Sequence, residues 1–318
     1  MRIELKNINF SYIKNNPVLS DLNAVFEEGK ISVLLGPSGC GKSTILRCIA
    51  QLEQQQKGDI LYQDQSFSKF GYKGLGLSYV FQDLALYQGL NVRENIRIAL
   101  KERSKEVEKS YNQICELLEI SDLIEKKVTQ LSGGEMQRVA IARSLVLNPK
   151  ILLMDEPFSS LDYNIKNRIT DRFLGIQSKN RITTILVTHN QTEAAELADK
   201  VFLMNKGRIV QEGTYEYLYK KPSNSFVAKF LGNQKNNSIL INNKETFVRP
   251  EDISFNKRTR SDIKIQANFV RKFPDFPQYV YLFQYKNAIV RVLSLNNLEY
   301  SIDEDVDLYI LNDSIIEF

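Results

Sequence analysis

Nine consecutive residues, GPSGCGKST (Gly36–Thr44), have the spacing G-x-x-x-x-G-K-S/T of a loop that wraps phosphate. Gly36, Gly39 and Gly41 let the backbone turn its N–H groups toward anionic oxygens, and a following helix N-terminus adds partial positive charge. Pro37, Ser38 and Cys40 fill variable positions that contribute backbone rather than side chains. Lys42 is placed to reach β- and γ-phosphates, the Ser43 hydroxyl to ligate Mg²⁺, and Thr44 completes the motif. The loop implies nucleotide binding but does not by itself separate kinases, GTPases and ATPases.

A second pair of candidates follows the apolar run ILLM: Asp155 and Glu156. Neighbouring side chains on a strand point to opposite faces, so adjacent carboxylates can serve one site only where the strand ends. Asp155 suits holding Mg²⁺ through water, and Glu156 suits the general base that activates water beside a γ-phosphate. A third candidate is His189, which closes TTILVTH and is the only histidine in the chain. A lone histidine is more often a satisfied structural residue, yet strand ends of a parallel sheet gather on the ligand-binding edge. The three cysteines are 40, 48 and 115. Cys48 and Cys115 read as core; Cys40, at the entrance to a helix, is expected to be the most reactive through a stabilised thiolate.

These residues need a sheet to hold them. Ile3–Phe10 alternates like a strand, KISVLLG runs into the glycines, and Ser43 to about Leu52 reads as a helix. A helical, charge-rich stretch runs from about Val92 to Leu147 and includes SKEVEKSYNQICELLEI. KILLMDEP and TTILVTH are buried strands separated by a helix across Ile165–Gln177. Strands alternating with helices predict an α/β fold with a mainly parallel sheet. After FVAKFLGNQKNNS the texture changes to DIKIQANFV, QYVYLFQY, NAIVRVLSL and DVDLYIL, consecutive short strands of an all-β unit. The predicted organisation is 1–232 for the nucleotide-binding domain, with a helical subdomain at about 85–150, and 233–318 for the β domain.

Composition narrows the function classes. The 318 residues are 43% hydrophobic and 25% charged, ordinary for a globular protein of one full domain plus a smaller one. A net charge of +4 without a Lys/Arg block argues against nucleic acid. No apolar run approaches the ~20 residues of a membrane span, and MRIELKNINF lacks the apolar core of a signal peptide. The odd cysteine count suits a reducing compartment.

LSGGEMQRVAIARSL (Leu131–Leu145) supplies a further phosphate device, Ser132, Gly133 and Gly134 before a helix. Together with GPSGCGKST and DEPFSSLD, it resembles the ATP-binding cassette (ABC) ATPases, over residues 1–232. That resemblance implies a P-loop cassette in which two chains sandwich two ATP molecules. Each nucleotide would lie between one phosphate loop and the partner's Ser132, Gly133 and Gly134. It implies that Tyr12 stacks on adenine with Val18 packed beside it, and that Gln82 touches Mg²⁺ and links nucleotide to the helical subdomain. Asp162 would communicate across the dimer, and His189 would hydrogen-bond the γ-phosphate. Lys42, Gln82, Glu156 and His189 are the implied catalytic set; Ser43, Gln82 and Asp155 the implied Mg²⁺ set.

FVRPEDI (Phe247–Ile253) is similar to the start of the TOBE (transport-associated OB) domain of importer ATPases, a small OB-type barrel. The resemblance therefore implies an ATPase subunit of a bacterial-type ABC importer, a homodimer peripheral to the cytoplasmic face of the inner membrane. It implies transmembrane permease subunits as partners and, through them, a solute-binding protein. The short β tail leans toward the ferric-iron type. An ABC ATPase that clamps a macromolecule without a permease is the alternative, and a non-hydrolysing regulator is disfavoured by Glu156 and His189. Three residues depart from the usual pattern: Gln51 where relatives usually have glycine, Gln88 where proline is common, and Glu135 instead of glutamine. Gln51 and Gln88 flank the surface where a permease helix would dock.

Overall fold

The computed structural model describes residues 1–98, 100, 105–232, 236–241 and 244–316. Part of the predicted helical stretch (99 and 101–104) and the predicted boundary after Gly232 lie outside the described residues. By its internal contacts the chain divides into Met1–Leu218 and Tyr219–Phe318.

The first unit begins with β1 (Ile3–Phe10), β2 (Leu19–Phe26), β3 (Ile31–Leu35) and α1 (Lys42–Ile49). Next come β4 (Lys57–Tyr62), β5 (Gln65–Ser66), α2 (Phe67–Leu75) and β6 (Leu77–Val80), then α3 (Val92–Arg97), α4 (Lys105–Leu117) and α5 (Gly133–Leu145). It continues with β7 (Ile151–Asp155), α6 (Tyr163–Asn180), β8 (Thr183–Thr188), α7 (Gln191–Leu197), β9 (Lys200–Asn205) and β10 (Arg208–Gly213), and α8 (Tyr215–Lys220) spans the division.

The central sheet has the order β10-β9-β3-β8-β7-β6. Every residue of β3, β7 and β8 is buried, as a parallel strand covered on both faces requires. Register then sets the site: Leu35 pairs with Thr188, and Asp155 with Val187. The strand ends that precede Gly36, Glu156 and His189 therefore lie abreast on one edge.

The parallel sheet is not alone. A separate antiparallel sheet has the order β2-β1-β4-β5, and β10 runs antiparallel to β9. The alternation in Ile3–Phe10 is the local cause, since β1 buries Ile3, Leu5, Ile8 and Phe10 while Lys6 and Asn7 face solvent. The two sheets share one core, in which the fully buried rings of Phe26 and Phe202 lie 5.0 Å apart. Burying one such ring contributes roughly 1.5–3 kcal/mol.

The second unit is built from α9 (Ser225–Phe230) and all-antiparallel strands: β11 (Asn237–Ile241), β12 (Lys244–Val248), β13 (Ile253–Ser254), β14 (Ile263–Asp275), β15 (Gln278–Tyr285), β16 (Ala288–Ser294) and β17 (Asp305–Ile310). One sheet has the order β13-β17-β14-β15-β16; β11 and β12 form a hairpin. The buried Asn237 side chain acts as an extra ladder rung on β16, donating to the Arg291 carbonyl at 2.8 Å and accepting from the Arg291 N–H at 2.7 Å. The core holds Phe269, Tyr281 and Phe283, with Phe255 and Tyr300 packed against it. At the start of the unit, Arg249 donates to the carbonyls of Ala228 and Tyr219 and stacks its guanidinium 3.8 Å above the Tyr219 ring. Residues 219–232 thus pack with the β domain, because a buried arginine gathers their carbonyls.

Candidate nucleotide site

The phosphate loop crosses from β3 to α1. A Cβ on Gly36 would sit 2.4 Å from the Met204 carbonyl, and one on Gly41 would meet Leu19 Cδ2 at 2.8 Å and the Val18 carbonyl at 3.1 Å. Both positions exclude side chains, which keeps the loop close against the sheet. Gly41 caps α1 with φ 102° and no side-chain hydrogen bond, and the first turn has no acidic residue. The helix therefore has no capping side chain at its N-terminus to satisfy its free backbone donors. Lys42 is buried, and its Nζ donates to the carbonyls of Gly36 and Pro37 at 2.9 Å each. Those partners carry no charge, so the buried ammonium fits an incoming anion. Ser38 and Gly39 form the exposed rim of the loop, while Thr44 is buried behind it.

Two carboxylates stand where β7 ends. Ser43 Oγ donates to Asp155 Oδ1 at 2.9 Å. Burial pushes the Asp155 carboxyl above its ordinary value and neighbouring Glu156 adds to this, against the Ser43 hydrogen bond and Lys42. A cation at this oxygen pair would relieve that desolvation. Among the described residues, no cluster of three or more His, Cys, Asp or Glu could hold a metal alone. Glu156 adopts φ 49° while its N–H donates to the Val187 carbonyl at 3.0 Å. This left-handed turn, with a cost of about 1–3 kcal/mol, breaks the strand alternation and lets both carboxylates serve one edge. His189 Nδ1 lies 3.0 Å from Glu156 Oε1. Both line a cavity of about 320 Å³ together with Lys166, Thr188 and Glu193. A larger cleft of about 890 Å³, lined by Ile114, Leu117, Leu147 and Ile176, contains none of the predicted site residues.

The remaining predicted residues take distinct places. Tyr12 is exposed and braced edge-on by Phe10, ring centroids 4.7 Å apart. Val18 is half-buried, with Cγ1 3.6 Å from where a Gly41 Cβ would stand. Gln82 is exposed in the loop after β6. The N-terminus of α5 is on the surface: Ser132 accepts from the Glu135 N–H at 3.2 Å, and Glu135 accepts from the Ser132 N–H at 2.7 Å. A Cβ on Gly134 would lie 3.3 Å from the Ser160 carbonyl. Asp162 caps α6 by accepting from the Ile165 N–H at 3.0 Å.

Within the chain α5 is wired to both other parts of the site, through residues that their spacing does not reveal. Gln137 donates to the Glu156 carbonyl at 3.0 Å and accepts from the Ser160 N–H at 2.9 Å. Arg143 donates to the carbonyls of Leu84 and Ala85 at 2.8 and 2.7 Å. It thereby braces the loop after Gln82, where both residues have positive φ. No sequence signal marks either residue for this role. Gln51 takes φ 56° just past α1, a left-handed conformation that favours glycine.

Cys40 departs from expectation. Its thiol is buried against Gly36, and burial raises its pKa despite Lys42 and the backbone N–H groups. Desolvation outweighs the helix field, so the thiolate is not favoured. Burial raises Cys48 further, to about 12, and Cys115 is raised as well.

Comparison with known proteins adds a lineage to this geometry. Residues 19–159 match the ABC transporter family. The chain is 38% identical over 262 residues to the Fe(3+) ions import ATP-binding protein FbpC of Mannheimia succiniciproducens, covering 79% of this chain and 74% of that protein. It is 36% identical over 261 residues to the sulfate/thiosulfate import ATP-binding protein CysA of Pectobacterium atrosepticum, covering 80% and 79%. Among solved structures, the dimeric structure of MJ0796, a bacterial ABC transporter cassette, superposes with a TM-score of 0.61 at 28% identity, over 67% of this chain and 98% of that one.

Proposed function

Because the chain belongs to the ABC transporter family, among its ATP-hydrolysing subunits, we propose that it powers solute import as a pair of cassettes on the cytoplasmic face of a transmembrane permease. A solute-binding protein would deliver cargo to that permease, and ferric iron is the cargo we favour. The observation that carries the ATPase chemistry is the alignment of Ser43–Asp155 at 2.9 Å with Glu156–His189 at 3.0 Å on one sheet edge. The importer reading draws on the two import proteins that match most of this chain's length. Among the described residues no helix is long and apolar enough to cross a membrane.

In this reading Lys42 and the open N-terminus of α1 bind the β- and γ-phosphates, and Tyr12 and Val18 support the base. Ser43, Gln82 and Asp155, the last through water, would hold Mg²⁺, which supplies positive charge to the phosphate oxygens. Glu156 takes the proton of the attacking water, and His189 holds the carboxylate now and the γ-phosphate when ATP is present. Ser132, Gly133, Gly134 and Asp162 of a second chain close each site. Closing and reopening of the pair drives the permease. The second unit is assigned as the TOBE-type domain.

The test is co-expression of the chain with candidate permease proteins, followed by uptake into ATP-loaded vesicles. The proposal expects co-purification, ferric-iron uptake above sulfate uptake, and loss of both transport and hydrolysis in Glu156→Gln. Sulfate uptake in place of iron would overturn the cargo assignment. A chain that hydrolyses ATP but associates with no membrane protein would overturn the importer assignment.

A further inference from the structure

His189 leaves β8 in a short loop whose shape is fixed by one buried carboxylate. Thr188 Oγ1 donates to Glu193 Oε2 at 2.6 Å and accepts from the Asn190 N–H at 2.9 Å. Asn190 Oδ1 accepts from the N–H groups of Thr192 and Glu193 at 2.9 and 3.2 Å, capping α7. The other oxygen of Glu193 lies 2.5 Å from Lys166 Nζ, and both side chains are largely buried, 6% and 17% exposed. Lys166 stands one turn inside α6, and its own N–H donates to the carbonyl of Asp162, the cap of that helix, at 2.8 Å. Asp162, Lys166, Glu193 and Thr188 thus form a hydrogen-bonded chain, and the backbone carries it one residue further to His189, which meets Glu156.

An isolated buried ion pair is weak evidence for stability, because desolvating two charges offsets most of their attraction and an apolar pair of similar volume often does as well. A pair kept in this place is better explained by position. It connects the start of α6, which carries the residue expected to meet the second chain, to the start of α7, which follows the histidine. We propose that Lys166 and Glu193 are positioning residues that hold the loop of residues 188–190 so that His189 reaches Glu156, and that couple movement of Asp162 to the histidine. The coupling half rests on the ATPase reading above; the positioning half does not. Neither residue touches a reacting atom.

The lone histidine makes the positioning half measurable without nucleotide. Untagged protein labelled in histidine has one imidazole, so its ring C–H correlation reports a single site. The proposal expects one sharp signal in the wild type. That signal should be displaced or split in Lys166→Met and in Glu193→Gln, and restored in Lys166→Arg. In steady-state assays kcat should fall about tenfold in Lys166→Met with KM for ATP within about twofold, the scale of a residue that acts through another. The Lys166→Met/Glu193→Gln double variant should be no worse than the worse single one. A lowered melting temperature with unchanged imidazole signal and kcat would make the pair purely structural and overturn the proposal. A displaced signal with unchanged kcat would overturn the coupling half. If the singles fail to fold, Lys166→Arg and Thr188→Val carry the same comparison. A wild type that does not hydrolyse ATP would sink the ATPase reading, while the nucleotide-free signal would still test positioning independently.

Discussion

The N-terminus of α1 has Gly41 where a capping side chain would stand and no acid in its first turn, whereas α5 has Ser132 as its cap and Glu135 closing a reciprocal pair of hydrogen bonds. Both are glycine-flanked helix starts suited to phosphate, yet only the second is closed by a capping box. The first is buried under its own sheets with Lys42 beside it; the second is on the surface and self-satisfied. A capping box contributes roughly 0.5–2 kcal/mol to a helix, so α5 needs no ligand to be stable. Nucleotide affinity should therefore reside in the α1 site. The α5 site should matter only when a second chain brings it to an already bound phosphate.

The largest expected effect lies between the two sites, at Glu156. Replacing it with Gln removes the proton acceptor without disturbing the phosphate contacts, so turnover should fall roughly 10²-fold or more while ATP affinity stays within about twofold. Turnover near wild type would remove Glu156 from the role of base.

Next in size is the contrast between Lys42→Ala and Ser132→Arg. Loss of a charged hydrogen bond worth about 1.5–3 kcal/mol should weaken ATP binding by roughly 10- to 10²-fold in the first. The second should leave binding to the single chain nearly unchanged, yet block turnover by placing bulk at the surface where the second nucleotide must fit. Equal losses of affinity in both, by calorimetry or fluorescent nucleotide titration, would erase the distinction between the two helix starts.

The smallest effect concerns Glu135, held in its charged form below the usual carboxylate range chiefly by the Ser132 backbone N–H. Glu135→Gln keeps an acceptor for that N–H and removes a negative charge from the surface that would face phosphate. Turnover at low ATP should rise by about two- to threefold, with salt reducing the gain. A decrease would mean that the carboxylate has a positive role.

The two helix starts are both legible in the sequence. GPSGCGKST, DEP and LSGG each carry their chemistry in contiguous residues, so spacing alone locates them, and the buried runs ISVLL and ILLM identify the strands that hold two of them. The alternating segments after residue 260 read as strands for the same local reason. What is not legible crosses between elements. Gln137, Arg143 and the Lys166–Glu193 pair meet partners far away in sequence, and nothing in their neighbours marks them. The antiparallel sheet of β1, β2, β4 and β5 is hidden because only β1 has a clear alternation. For Cys40 the sequence misleads in sign, since the helix field is visible in it and the burial that overrides that field is not.

The claim that each site is built from two chains can be tested by mixing two inactive variants. Lys42→Ala lacks a working phosphate loop, and Ser132→Arg lacks a working α5 surface. In a mixed pair, the intact loop of one chain faces the intact α5 of the other. Hydrolysis should reappear on mixing, up to roughly a quarter of the wild-type rate, since about half the pairs are mixed and each holds one complete site. If each chain hydrolysed ATP within itself, Ser132→Arg alone would remain active and mixing would restore nothing.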